Sequence, residues 1–272
     1  MDCLFLASAA VAVVMMAYAS VCDFRYREVR DLPWWAMALT GAVVIPCMAV
    51  RDGAGMIPAV SSIYALVVFG CLADDRHPVI PAVVSVMFPV WAFLTGSDTW
   101  VLQVSLSPVF VSVFYALYVI GMVPGGADAK CLMSLSILFP AVFGPISSGY
   151  ADVGIAEVVF PPAMKILLLS CIITIVAGGA WILYKGRGLA HLISADYRIP
   201  LEEAGRSFVW ALEDVSEGEV IRIPRSDDIE GACRRLRGIG RTDILVSPMF
   251  PFIIPMAVSL VYLLVAGCPF IS

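Results

Sequence analysis

Eight apolar stretches of this chain read as candidate membrane spans, the third, fourth and sixth of them short or Pro-interrupted, and that feature constrains the fold more than any other. They run over residues 3–22, 32–50, 56–73, 78–95, 101–122, 128–146, 161–184 and 248–267. A helix needs roughly 20 apolar residues to span the hydrocarbon core. Composition agrees: 61% of residues are hydrophobic and 14% are charged, where an average globular chain carries about 25% charged residues. The first stretch exceeds a signal-peptide core in length, and only Asp2 precedes it in place of a basic segment, so it reads as a true span. The expected fold class is an all-α polytopic membrane protein of about eight transmembrane helices. A small α/β module stands before the last helix.

Orientation follows from the cations. With the N-terminus outside, Arg25, Arg27, Arg30, Arg76, Lys130 and ten cations within residues 185–241 fall on the cytosolic side. Only Arg51 and Lys165 fall outside, so fifteen of the 17 cations obey the positive-inside rule. The expected domains are a membrane domain over 1–184, a cytosolic module over 185–247 and a final span with the C-terminus over 248–272. Within the module, Glu219-Val-Ile-Arg-Ile-Pro224 alternates like a strand. Asp227-Asp228 is placed to cap a helix through Ala232-Cys-Arg-Arg-Leu-Arg237, ended by Gly238 or Gly240. Asp243-Ile-Leu-Val-Ser247 reads as a second strand leading into the last span.

Against this apolar background two carboxylates stand out. Asp23 opens Asp23-Phe-Arg-Tyr-Arg-Glu-Val-Arg-Asp31 directly after the first apolar run, and Asp128 lies in Pro124-Gly-Gly-Ala-Asp-Ala-Lys130 between two runs. A carboxylate at membrane depth is costly and marks function by default. The topology drawn from the cations puts both on the cytosolic side. Two neighbouring carboxyl groups that share one proton can hydrolyse a peptide. The ionised member activates water while the protonated member polarises the scissile carbonyl, and the pair titrates as a unit. Gly125 and Gly126 permit positive φ and close backbone approach, so a substrate strand can pass over Asp128. Lys130 supports the same loop.

Other polar residues read more simply. Asp31, before Leu32-Pro33, suits a helix N-cap. Asp74 and Asp75 beside Arg76 read as a solvated loop, and His77 and His191 as surface residues. Pro140, Pro161 and Pro162 shape helix ends. The cysteines at 3, 22, 47, 71, 131, 171, 233 and 268 include no CxxC pair, so neither a disulfide framework nor a zinc site is expected. No metal or cofactor is called for. A net charge of −5 argues against nucleic acid as partner.

The stretch from Asp23 to Asp31 resembles the first aspartate motif of type IV prepilin peptidases. Gly125-Gly-Ala-Asp128-Ala-Lys130 is similar to their second, GxGD-type motif, and Ser247-Pro-Met-Phe-Pro-Phe-Ile-Ile-Pro255 to the Pro-rich start of their last span. The archaeal branch, the preflagellin (archaellin) peptidases, fits best. The resemblance implies a membrane aspartyl endopeptidase with Asp23 and Asp128 as catalytic pair. Its substrates would be precursors with class III, prepilin-like signal peptides, whose short basic leaders are removed at the cytosolic face of the cell membrane. Ala127 departs from a strict GxGD, and eight spans exceed the six of a minimal archaeal member. The tetracysteine domain of the bacterial enzymes is missing, so N-methyltransferase activity is not expected.

Three other readings compete. A presenilin-like or signal-peptide-peptidase-like protease would show Tyr before the first aspartate, where this chain has Cys22. An ion-coupled transporter would hold its carboxylates near the bilayer midplane, not at span ends. A membrane assembly factor without catalysis would tolerate loss of both aspartates. For a basic leader, Glu202, Glu203, Glu213, Asp214, Glu217 and Glu219 offer an acidic face on the module.

Overall fold

The computed structural model describes residues 2–73, 79–123, 125–145, 150, 158, 160–184, 196–205, 207, 209–216, 218–226, 228–248 and 251–267. Asp74, Asp75, Arg76, His77, Pro124, His191, Glu217 and Asp227 lie outside the described residues. Two compact units emerge: residues Met1–Ile172 with Phe252–Ser272, and Ile173–Pro251. The division falls inside a helix rather than at the expected boundary after residue 184. Along that helix Ile172, Ile175 and Val176 are already exposed.

The first unit is a helical bundle. Its elements are α1 (Cys3–Tyr26), α2 (Leu32–Asp52), α3 (Ile57–Ala73), α4 (Val79–Ser85), α5 (Met87–Leu94), α6 (Thr99–Ser105), α7 (Ser107–Val119) and α8 (Gly126–Leu138). The start of α9 (Pro162–Tyr184) and the last helix, here α12 (Ile253–Ala266), complete it. Among the described residues α1, α2 and the stretch Pro162–Ala180 are each long and apolar enough to cross a membrane. The pair α6–α7, bent by 41°, makes a fourth if counted as one span. Val14, Val43, Ile63 and Val67 are exposed on helix faces, a surface that suits lipid better than water.

Among the described residues eight unbroken spans are therefore not found, and prolines explain three of the shortfalls. Proline lacks the N–H that would bond the carbonyl four residues back. Pro89 splits 78–95 into α4 and α5, and Pro108 sets the bend between α6 and α7. Pro140 ends α8 at Leu138, short of residue 146. The Ser136 carbonyl that Pro140 cannot bond accepts instead from the Ser107 hydroxyl at 2.9 Å.

At the centre of this unit lies α8, buried on every side from Asp128 to Leu138 apart from Lys130. A helix can be buried all round only if its polar groups are satisfied internally. Ser134 and Ser136 donate to the Cys131 and Leu132 carbonyls at 2.8 and 2.9 Å. Contact with α2 is backbone to backbone: a Cβ on Gly41 would sit 2.7 Å from the Ile137 carbonyl carbon and 2.8 Å from Leu138 Cα. At one end of the bundle Asp2, the N-cap of α1, holds Arg51 of α2 at 2.9 Å. Lys165 is fully buried in α9 rather than lying in a loop.

The second unit carries a four-stranded antiparallel sheet of order β1-β4-β2-β3. Its strands are β1 (Tyr197–Pro200), β2 (Val209–Ser216), β3 (Glu219–Ser226) and β4 (Asp243–Pro248), with short α10 (Leu201–Ala204) and α11 (Ile229–Gly238). The expected strands and helix are present, with Asp228 capping α11 through the Gly231 amide at 2.9 Å. Two strands, β1 and β2, went unread. A register shift between Ala211 and Glu213 breaks the alternation of β2, and with it the period-2 signal.

At that irregularity Glu213 is buried and does structural work. One carboxylate oxygen pairs with Arg198 of β1, and the other accepts the Leu245 amide of β4 at 3.1 Å. Asp214 pairs with Arg235 at 2.6 Å, which holds its carboxyl below the usual carboxylate range. Among the described residues the expected acidic face is thereby reduced to Glu202, Glu203 and Glu219, which are exposed. Glu213→Ala leaves the part-buried Leu245 amide without its acceptor and Arg198 with Asp243 as its remaining partner, an expected cost of about 2 kcal/mol. Hydrogen exchange of the full chain should show the Leu245 amide exchanging roughly 30-fold faster. Unchanged protection there would show that the carboxylate is dispensable.

Candidate active site

The inward stripe of α1 leads directly to the site. Phe5, Ala9, Ala12, Met16 and Ala19 are buried at alternating spacings of four and three, the period of one helix face. The next step of four reaches Asp23, in the last turn. Small side chains along the stripe let neighbouring helices approach closely. The helix closes at Arg27, whose left-handed backbone (φ 55°) lets its amide bond the Asp23 carbonyl at 3.2 Å.

Asp23 is half-buried. Its carboxylate lies near enough to Arg27 and to the backbone amide of Ile253, the first residue of α12, to feel the charge of the one and the dipole of the other. Its Oδ2 is buried with no hydrogen-bond partner among the described residues. Buried polar oxygens are rarely left so, and a reacting group is one reason for an exception.

Asp128 sits in the first turn of α8 and is 9% exposed. The structure brings it beside Asp23, near enough for the two carboxylates to interact by charge. Below it, Cys131 donates to Met16 Sδ at 3.4 Å, sealing the floor with sulfur and no further charge. The two expected catalytic residues therefore converge, from helices far apart in sequence, at one end of the bundle.

The glycines act differently from the expectation. Neither Gly125 nor Gly126 has positive φ; Gly125 is extended at φ −105°, ψ 128°. The requirement at Gly125 is space. A Cβ there would run into Asp128 Oδ2 and stand 2.9 Å from its Cγ. At Gly126 a Cβ would meet only the Tyr118 hydroxyl at 3.6 Å, an ordinary contact.

Asp31 also differs. It occupies the N-cap position of α2, but its side chain makes no cap hydrogen bond. Its carboxylate instead takes Lys130 Nζ at 2.8 Å, tying the link between α1 and α2 to the second motif. Beside this pair a cleft of about 220 Å³ opens among the ends of α3 and α7 and the start of α8. Tyr115, Tyr118, Asp31, Gly126 and Lys130 are among its walls.

Sequence reasoning missed the Ile253 amide, the Lys130–Asp31 pair and the cleft. The Pro-rich segment before α12 was the one local signal that pointed toward the first of these. Compared with known proteins, the chain matches no described family, no curated sequence and no solved structure.

Proposed function

We propose that this protein is a membrane aspartyl endopeptidase of the prepilin-peptidase type, with Asp23 and Asp128 as its catalytic dyad. The observation that carries the reading is their convergence: two acidic side chains share one bundle end, one buried and the other with a buried, unbonded oxygen. One carboxylate, ionised, takes a proton from water. The other, protonated, donates to the scissile carbonyl, and the tetrahedral adduct collapses with proton return to the leaving amine. The dyad lies at helix ends rather than at mid-helix, which favours cleavage at the membrane boundary over a coupling-ion site.

The substrates are precursors with short basic leaders, cut at the cytosolic face before their apolar helix. Purified full-length protein in detergent, incubated with such a precursor, should give one cut, located by mass spectrometry at the leader boundary. No cut in any prepilin-like precursor removes the reading. Sidedness has its own check. A cysteine placed at Gly205, in the sheet unit, should react with an impermeant label only from the cytosol. Labelling from outside intact cells would put the dyad on the wrong face for a leader peptidase.

A further inference from the structure

The cleft and the dyad lie on opposite faces of α8. Gly126, Lys130 and Met133 line the cleft, spaced by four and three along one helix face. Asp128, two residues after Gly126, points about 200° around the helix. Between them, at the helix start, Gly125 and Gly126 present no side chain. An extended chain crossing the end of α8 covers roughly 10–12 Å, the width of a helix, and so spends about three residues at ~3.3 Å each.

The walls of the cleft define what such a chain would place there. Its volume of about 220 Å³ leaves room for a long side chain. Tyr115 and Tyr118, with ring centroids 6.4 Å apart, provide aromatic faces. The ion pair engages Asp31 Oδ1. A carboxylate offers about four lone-pair sites, so Asp31 can accept a second donor without releasing Lys130. Of the pair, Asp31 is the member turned outward, its side chain 53% exposed against 25% for Lys130. A cation meets a carboxylate and aromatic rings together, the combination that favours Lys or Arg.

We infer that this cleft is a subsite for a cationic substrate side chain, Lys or Arg, held by Asp31 and the two tyrosines about three residues from the scissile bond. The inference rests on the peptidase reading and adds a specificity determinant to it. Asp31 is then a binding residue rather than a helix cap.

The test is equilibrium binding, read by fluorescence anisotropy, on the full-length Asp128→Asn protein in detergent. The probes are fluorescein-labelled peptides with an apolar half and a single Lys scanned along the other half, beside matched norleucine and Glu peptides. The Lys peptide should bind about tenfold more tightly than the norleucine peptide at one position of the scan. Adding Asp31→Asn should erase that difference and leave the norleucine peptide unchanged, and Tyr118→Leu should reduce it. The subsite is overturned by any of four outcomes: no Lys preference, a Glu preference, no binding at all, or equal weakening of both peptides by Asp31→Asn. The last would mean that the ion pair is only a tether. Cleavage is scored separately with unmodified protein. Cleavage without Lys preference in binding overturns the subsite and keeps the peptidase, while Lys preference without cleavage overturns the peptidase and with it the substrate subsite, leaving only a cation-binding cleft.

Discussion

Asp23→Asn and Asp128→Asn should each lower kcat for precursor cleavage by at least about 10³-fold, the scale seen when one member of a catalytic unit is removed. The amide keeps the shape of the carboxylate but cannot accept a proton from water or share one across the pair. Folding should survive. Asp128 is buried, and replacing a buried carboxylate by a neutral isostere removes a desolvation cost. At Asp23, which is only half-buried, an amide oxygen still faces the Ile253 amide. The measurement is single-turnover cleavage by each purified variant, paired with its thermal midpoint. Because the two residues act as one unit, the double variant should be hardly slower than either single one. A single variant with normal turnover would end the dyad mechanism, and multiplicative losses would show two independent roles.

Gly125→Ala should lower kcat/KM by about 10²-fold, the penalty of moving a reacting group by about an ångström. The backbone at this position is extended, which alanine and valine adopt without strain. Stability should therefore hold, or rise slightly as the unfolded chain loses freedom. The damage comes from Cβ alone, which would occupy the place of the Asp128 carboxylate. Gly125→Val should accordingly be little worse than Gly125→Ala. At Gly126, where a Cβ finds 3.6 Å of clearance, alanine should cost less than threefold. Comparing the two alanine variants under one assay separates space beside the dyad from a general need for a flexible turn. Equal effects at both positions would favour flexibility.

What the sequence disclosed is what short periods encode. Asp23 continues the stripe through Ala12, Met16 and Ala19, and a polar residue ending such a stripe is visible without a structure. The strand at Glu219 and the capped helix at Asp228 follow local rules and were legible. The span count failed where a single proline interrupts an otherwise apolar run, since hydropathy is blind to the missing N–H of Pro89, Pro108 or Pro140. The strand β2 was hidden by its register shift, which turned Glu213 from an apparent surface charge into a buried bridge. Contacts at long separation left no local trace. Lys130 and Asp31 stand 99 residues apart, and neither motif announces that it will bind the other.

The amide of Ile253 gives the order of synthesis a chemical meaning. More than a hundred residues separate Asp128 from Ile253, so a growing chain holds both aspartates long before the donor that completes the surroundings of Asp23. Until α12 packs beside α1, the surroundings of Asp23 are unfinished. On the peptidase reading the nascent chain is idle until its own last helix arrives.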